Sequence, residues 1–147
     1  MTAVTEIRTD ARALGRWVRL RPPLVLAGGL LLASVALHLR DPHRTGSWFY
    51  CPWLAMTGTY CPGCGGLRAV NDLTNGDVLG AASSNLLFVG SLPLLAFWWL
   101  RWLRDSWRGV RRVVDPRAAF VGAGAFVVLA LAFAIVRNLP FGAWLAP

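Results

Sequence analysis

The chain has 147 residues, apolar types make up 56% of it, and its formal charge is +8, with arginine its only strongly basic side chain. That apolar share exceeds the usual one for a soluble domain, and it arrives in blocks without helical alternation, which excludes an ordinary soluble core in favour of membrane spans. The arginines cluster just outside these blocks, so the charge reads as a topology signal and as attraction to anionic lipid, and nucleic acid is excluded as a partner.

Residues 1–21 form a basic tail with Arg8, Arg12, Arg16, Arg19 and Arg21. A helix would place the first four on one face, but the composition reads as a partly disordered topogenic tail. The first span is expected at about residues 22–39. Eighteen residues at 1.5 Å each give ~27 Å, enough for a thin hydrocarbon core. A signal peptide is the rival reading, with Ser34-Val35-Ala36 as its cleavage site, but the basic region ahead of it is unusually long.

Residues 40–76 form a loop that contains all three cysteines, Cys51, Cys61 and Cys64. Trp48, Phe49, Tyr50, Trp53 and Tyr60 surround the first of them, and such aromatics sit at membrane–water boundaries. Leu67–Leu73 is expected to form a short interfacial helix, with Arg68 and Asp72 paired at i, i+4 and Asn75-Gly76 as its stop. Asp77 is the expected N-cap of the next helix. Residues 78–85 are small and weakly apolar and read as an interfacial lead into a second span at about 84–103, which Asn85 and Pro93 interrupt, Pro93 by a kink or by loosening one backbone bond. Residues 101–117 are strongly basic. The third span, about 118–136, has no charge, and Gly122 and Gly124 give it a small face suited to close helix packing. The fold class is therefore an all-α membrane protein of about three spans, in a single membrane domain over residues 22–147.

Five arginines lie in the N-terminal tail and six in residues 101–117, against three in the cysteine loop and one, Arg137, in the C-terminal tail. Positive-inside bias places the first two segments in the cytoplasm and the cysteine loop outside. Arginine-only, Ala/Gly-rich usage is that of a GC-rich bacterial genome, so the expected location is a bacterial inner membrane with a cytoplasmic N-terminus.

Outside the cytoplasm thiols tend to oxidise, and three readings of the cysteines stand side by side. A disulfide from Cys51 to Cys61 or Cys64 would close a loop of about ten residues, worth about 2–3 kcal/mol on the chain-entropy model. A metal knuckle is the second reading, since the turn in Cys61-Pro62-Gly63-Cys64-Gly65 lets two sulfurs converge on one ion. Cys51 would be its third ligand and His43 its fourth, ahead of His38; such a Cys₃His set is a zinc class. The third reading is a dithiol, Cys61-x-x-Cys64, that exchanges disulfides. Against it, Gly65-Gly66 makes immediate helix entry unfavourable, and no βαβ pattern surrounds the motif. Arg68 reads either as a thiolate or headgroup partner or as a snorkelling residue. Asn85 and Arg137 read as polar groups that either bond across helices or mark span ends.

Cys51-Pro52, Thr57-Gly58, Cys61-Pro62-Gly63-Cys64-Gly65, Arg68-Ala69, Gly76-Asp77, Ala81 and Asn85, in that order, resemble domain-of-unknown-function family 2752, a family of small bacterial membrane proteins. The resemblance covers about residues 48–100 and the Arg137-Asn138…Pro140 tail. One departure is Leu86-Leu87, where the family would place a proline soon after Asn85. The resemblance implies a membrane-embedded cysteine-loop protein and carries no established activity. The expected function is a non-enzymatic accessory or assembly module, with a homo-oligomer or another membrane protein as its expected partner. The alternative is a membrane thiol-disulfide oxidoreductase.

Overall fold

The computed structural model describes residues 15–44, 46, 48, 51–110 and 115–146. It is helical: α1 spans Arg16–Leu39, α2 Pro52–Thr57, α3 Gly66–Thr74, α4 Val78–Arg108 and α5 Pro116–Arg137, followed by a 3₁₀ turn over Pro140–Leu145. Three of these helices, α1, α4 and α5, are long and apolar enough to cross a membrane. Their large apolar side chains are mostly exposed, Leu31, Leu32, Leu95, Phe120 and Leu131 among them. In lipid such a surface carries no hydrophobic cost, because hydrocarbon chains solvate it as well as a protein core would.

The boundaries follow local chemistry. α1 begins six residues before the expected span, so Arg16, Arg19 and Arg21 lie on its first turns; Arg8 and Arg12, like Arg111 and Arg112, are outside the described residues. Asp77 caps α4 as expected, accepting from the Gly80 amide at 2.8 Å, and α5 starts on Asp115-Pro116, where Asp115 accepts from Arg117 N at 3.0 Å. α3 ends at Asn75-Gly76, again as expected.

α4 breaks at Asn85, whose backbone leaves helical dihedrals (φ −160°, ψ 91°), while Pro93 lies inside the helix beyond it. The Asn85 side chain accepts from Phe88 N at 2.9 Å, as an N-cap does. α4 is thus two helices in series, and the weakly apolar segment 78–84 stands apart from the membrane-spanning piece.

α1 and α4 pack antiparallel. At one end Arg19 Nε donates to the Ser106 carbonyl at 3.1 Å and the Arg16 guanidinium lies 4.7 Å from the centre of the Trp107 ring. Further along, Trp99 Nε1 donates to the Pro23 carbonyl at 3.1 Å. At the other end α3 lies against both helices, and the buried Asn71 amide donates to Leu37 O at 2.8 Å. α5 stands apart. None of its most apolar stretch is buried, and a Cβ built on Gly122 or Gly124 meets nothing within 4 Å. The expected close packing on this glycine face is therefore not made among the described residues. α5 is joined to the rest by its C-terminal end and the 3₁₀ turn that follows it.

Candidate metal centre

The chemistry-bearing residues gather where α3, the start of α4 and the end of α5 meet. Cys61 and Cys64 share a tight double turn, in which Cys64 N donates to Cys61 O at 3.1 Å and Gly66 N to Gly63 O at 3.0 Å. Gly65 completes it at φ +81°, a left-handed backbone that a side chain would resist. α3 then begins only at Gly66, after both cysteines, so neither of them opens a helix, in line with the reading of Gly65-Gly66. The left-handed glycine lets the chain turn and the helix start in one step. Cys51 comes from the other side of the loop, where it caps α2 ahead of Pro52.

These turns bring the three sulfurs together. Cys51 Sγ lies 3.6 Å from Cys61 Sγ, and Cys61 Sγ lies 3.1 Å from Cys64 Sγ. All three lie within 4.8 Å of one another, and none is joined in a disulfide. As free thiols they differ. The Leu54 amide at the α2 N-terminus holds the Cys51 thiol below the ordinary range, against a smaller opposing effect of burial and with lesser help from the Cys64 and Cys61 sulfurs and the Trp53 amide. Burial, with the Cys61 and Cys51 sulfurs adding to it, pushes the Cys64 thiol up to about 12.

His43 is not in this group. Its Nδ1 lies 2.9 Å from Asp41 Oδ1 and its Nε2 3.3 Å from Asp72 Oδ1. The His43 backbone amide, which donates to Asp41 at 2.8 Å, is the main cause that holds that carboxyl below its usual range. His38 is engaged with Thr74, at 3.2 Å. The expected Arg68–Asp72 pair is not formed either. Asp72 is buried, and it accepts from Ser84 Oγ at 2.8 Å besides facing His43. A short polar side chain on α4 reaches this carboxylate at lower entropic cost than an arginine on its own helix would.

Two residues clamp the cysteine turn by its main chain. Asn85, 1% exposed, donates through Nδ2 to the carbonyls of Pro62 and Cys64, both at 3.0 Å. The break in α4 therefore has a purpose beyond geometry: the same amide caps the helix with its oxygen and holds the loop with its nitrogen. Arg137, also 1% exposed, donates through Nη1 to Cys61 O and Cys64 O at 3.0 Å each. Its Nη2 reaches Leu145 O at 2.7 Å and Ser84 O at 3.4 Å. The Phe133 and Tyr60 rings flank its guanidinium at 4.9 and 5.7 Å. Beside it Asn138 accepts from Tyr60 N and donates to Tyr60 O, both at 2.8 Å, in the manner of a strand neighbour. The 3₁₀ turn closes over this end at Gly142, where a Cβ would run into the Val136 carbonyl.

Arg137 has no carboxylate partner among the described residues, and its Nε is buried without an acceptor. Ser84 is a further member of the site that the sequence did not single out, and Tyr60 and Asn138, named there as an interfacial aromatic and as part of the tail, pair with each other here. Arg137 did carry a signal, as a lone arginine at the end of a span on the arginine-poor side.

The model of the family described as protein of unknown function (DUF2752) matches residues 51–99, from the first cysteine through most of α4. This supports the resemblance read from the cysteine motif. No curated protein matches the chain, and no solved structure does.

Proposed function

We propose that this chain is a membrane module whose three cysteines hold one zinc ion at the extracytoplasmic face, where the ion fixes the loop to the helix ends. The module is an accessory or assembly element and not an enzyme, and its partner is another membrane protein or a second copy of itself. Its N-terminus lies in the cytoplasm of a bacterial cell. The arginine asymmetry supports this orientation, and so does the meeting of Arg16 and Arg19 with the last turns of α4 at one end of the bundle, opposite the cysteines.

The observation that carries the reading is the buried Arg137 over the cysteine turn. A cation removed from water without a counter-charge is costly. Neither three neutral thiols nor a disulfide with one thiol supplies that charge. A divalent ion on three thiolates carries one net negative charge, which the guanidinium neutralises. The sulfur spacing fits as well. Tetrahedral zinc with bonds of ~2.3 Å sets its sulfurs ~3.8 Å apart, and the observed separations of 3.6 and 3.1 Å need only small adjustment. A sulfur-only donor set is also the soft kind that selects zinc or copper(I) over hard ions.

The test is metal analysis with thiol counting on unreduced protein purified without chelator. About one zinc per chain is expected, lost on replacing any one of Cys51, Cys61 or Cys64 with serine. Three free thiols and no metal in the unreduced protein would overturn the reading.

The 3.1 Å approach of Cys61 and Cys64 favours one second reading. The pair would pass two electrons and two protons to a substrate disulfide and close into a disulfide itself. Metal-free protein with a Cys61–Cys64 bond that cycles, and with Cys51→Ser silent, would select that reading.

A further inference from the structure

Resting on the zinc reading, we infer that the ion keeps one coordination position that this chain does not fill, and that it accepts a neutral imidazole nitrogen from outside the chain. The chain has three cysteines and two histidines, all within the described residues. The three sulfurs form a group with no fourth ligand atom of histidine, cysteine or carboxylate type among the described residues. Both histidines are committed elsewhere, His38 to Thr74 and His43 to Asp41 and Asp72. Asp72 is taken by Ser84 and Asp77 by the α4 N-terminus. Of the seven acidic residues only Glu6 and Asp10 lie outside the described segments, in the N-terminal tail ahead of the first span.

Four-coordinate zinc with three protein ligands is the arrangement of a site that exchanges its fourth ligand, whereas structural sites are closed by the protein. Cys51 and Cys61 are only half-buried, which leaves a way in, while Cys64 is buried. The charge around the ion selects the ligand. One buried guanidinium already balances the three-thiolate complex, so a fourth thiolate would leave a buried net charge. A neutral nitrogen adds none, and imidazole is the common neutral ligand of zinc.

The full chain in detergent, loaded with cobalt(II) in place of zinc, gives the readout. Thiolate-to-cobalt charge-transfer bands report the three sulfurs, and visible d–d bands report the fourth ligand. Imidazole is expected to shift the d–d bands saturably, one per chain, at concentrations at least tenfold below those of β-mercaptoethanol. Offering the ring free and within an acetylated Gly-His-Gly peptide tells a small-molecule donor from a protein donor by which binds more tightly. His43→Gln is expected to give the same starting spectrum and the same titration. Bands that move with neither ligand, a spectrum already altered by His43→Gln, or a preference for the thiol would each overturn the inference while leaving the three-cysteine centre standing. Failure to take up cobalt at all, with no thiolate bands, would overturn the zinc reading and this inference with it.

Discussion

Replacing Arg137 with glutamine tests the electrostatic link between α5 and the cysteines. The substitution removes the charge and the fork that reaches four carbonyls, two of them within the cysteine turn at 3.0 Å. If those carbonyls orient the sulfurs and the charge neutralises the bound complex, zinc affinity falls as it does when outer-shell partners of a metal are lost, ~10–100-fold, or ~1.4–2.7 kcal/mol. Stability also falls, because Leu145 O loses its donor in a buried position; one such loss costs about 1–3 kcal/mol. Arg137→Lys separates the two effects, since it keeps the charge and cannot reproduce the planar fork, and it should recover part of the affinity. The assay is a zinc titration against a chromogenic chelator on detergent-solubilised protein, with thermal unfolding of the zinc-free form measured beside it. Wild-type zinc affinity in Arg137→Gln would refute the argument that the guanidinium is the counter-charge of the site.

In metal-free, reduced protein, iodoacetamide should modify Cys51 first and Cys64 last. The Cys51 rate should rise with pH below the ordinary thiol range, because its folded pKa is lowered, whereas Cys64 should stay slow until pH approaches about 12; mass spectrometry of timed digests gives the order, and equal rates would contradict it. Asn85→Leu removes two bonds to the loop and the cap of the second half of α4, so thermal unfolding should show a loss of about 2–4 kcal/mol, and an unchanged midpoint would count against the clamp. Gly142→Ala should lower stability by about 1–3 kcal/mol through its collision with the Val136 carbonyl, while Gly122→Leu, which meets open space, should leave the monomer's melting unchanged; the reverse pattern would place the tight contact of α5 elsewhere. A cytoplasm-dependent reporter should work when fused at residue 108 and be silent at the C-terminus, and the opposite result would reverse the assignment of sides.

The three spans were legible because each is a block of apolar residues bounded by arginine, aspartate or asparagine, and hydropathy alone marks such blocks. The ends of α3 and α4 were legible through Gly76 and Asp77, whose conformational and capping preferences are local. The convergence of Cys61 and Cys64 was implied by their spacing, and Cys51 was a natural third member. What the sequence did not reveal is long-range. Arg137 meets Cys61 across 76 positions, and nothing local distinguishes an arginine that marks a boundary from one turned inward. His43 looked like a fourth ligand on composition, but Asp41, two residues away, takes its near nitrogen before any ion could. Pro93 carries a local signal because proline lacks an amide, a loss that membrane helices tolerate. Asn85 breaks the helix because its side chain bonds the loop on one side and Phe88 on the other.

The clamp reads main chain alone. Arg137 bonds the carbonyls of Cys61, Cys64, Ser84 and Leu145, Asn85 those of Pro62 and Cys64, and Asn138 the amide and carbonyl of Tyr60. Side-chain identity at Pro62 or Leu145 is therefore left largely free by these hydrogen bonds, whereas Tyr60 also sets its ring against the Arg137 guanidinium. Chain length is not free in the same way: one residue inserted or deleted between Cys61 and Cys64 puts the carbonyls of Cys61, Pro62 and Cys64 out of register with Arg137 and Asn85. The segment would tolerate changes of letter far better than changes of spacing, so a library of single-residue insertions through it should be depleted of folded protein where a substitution library is not.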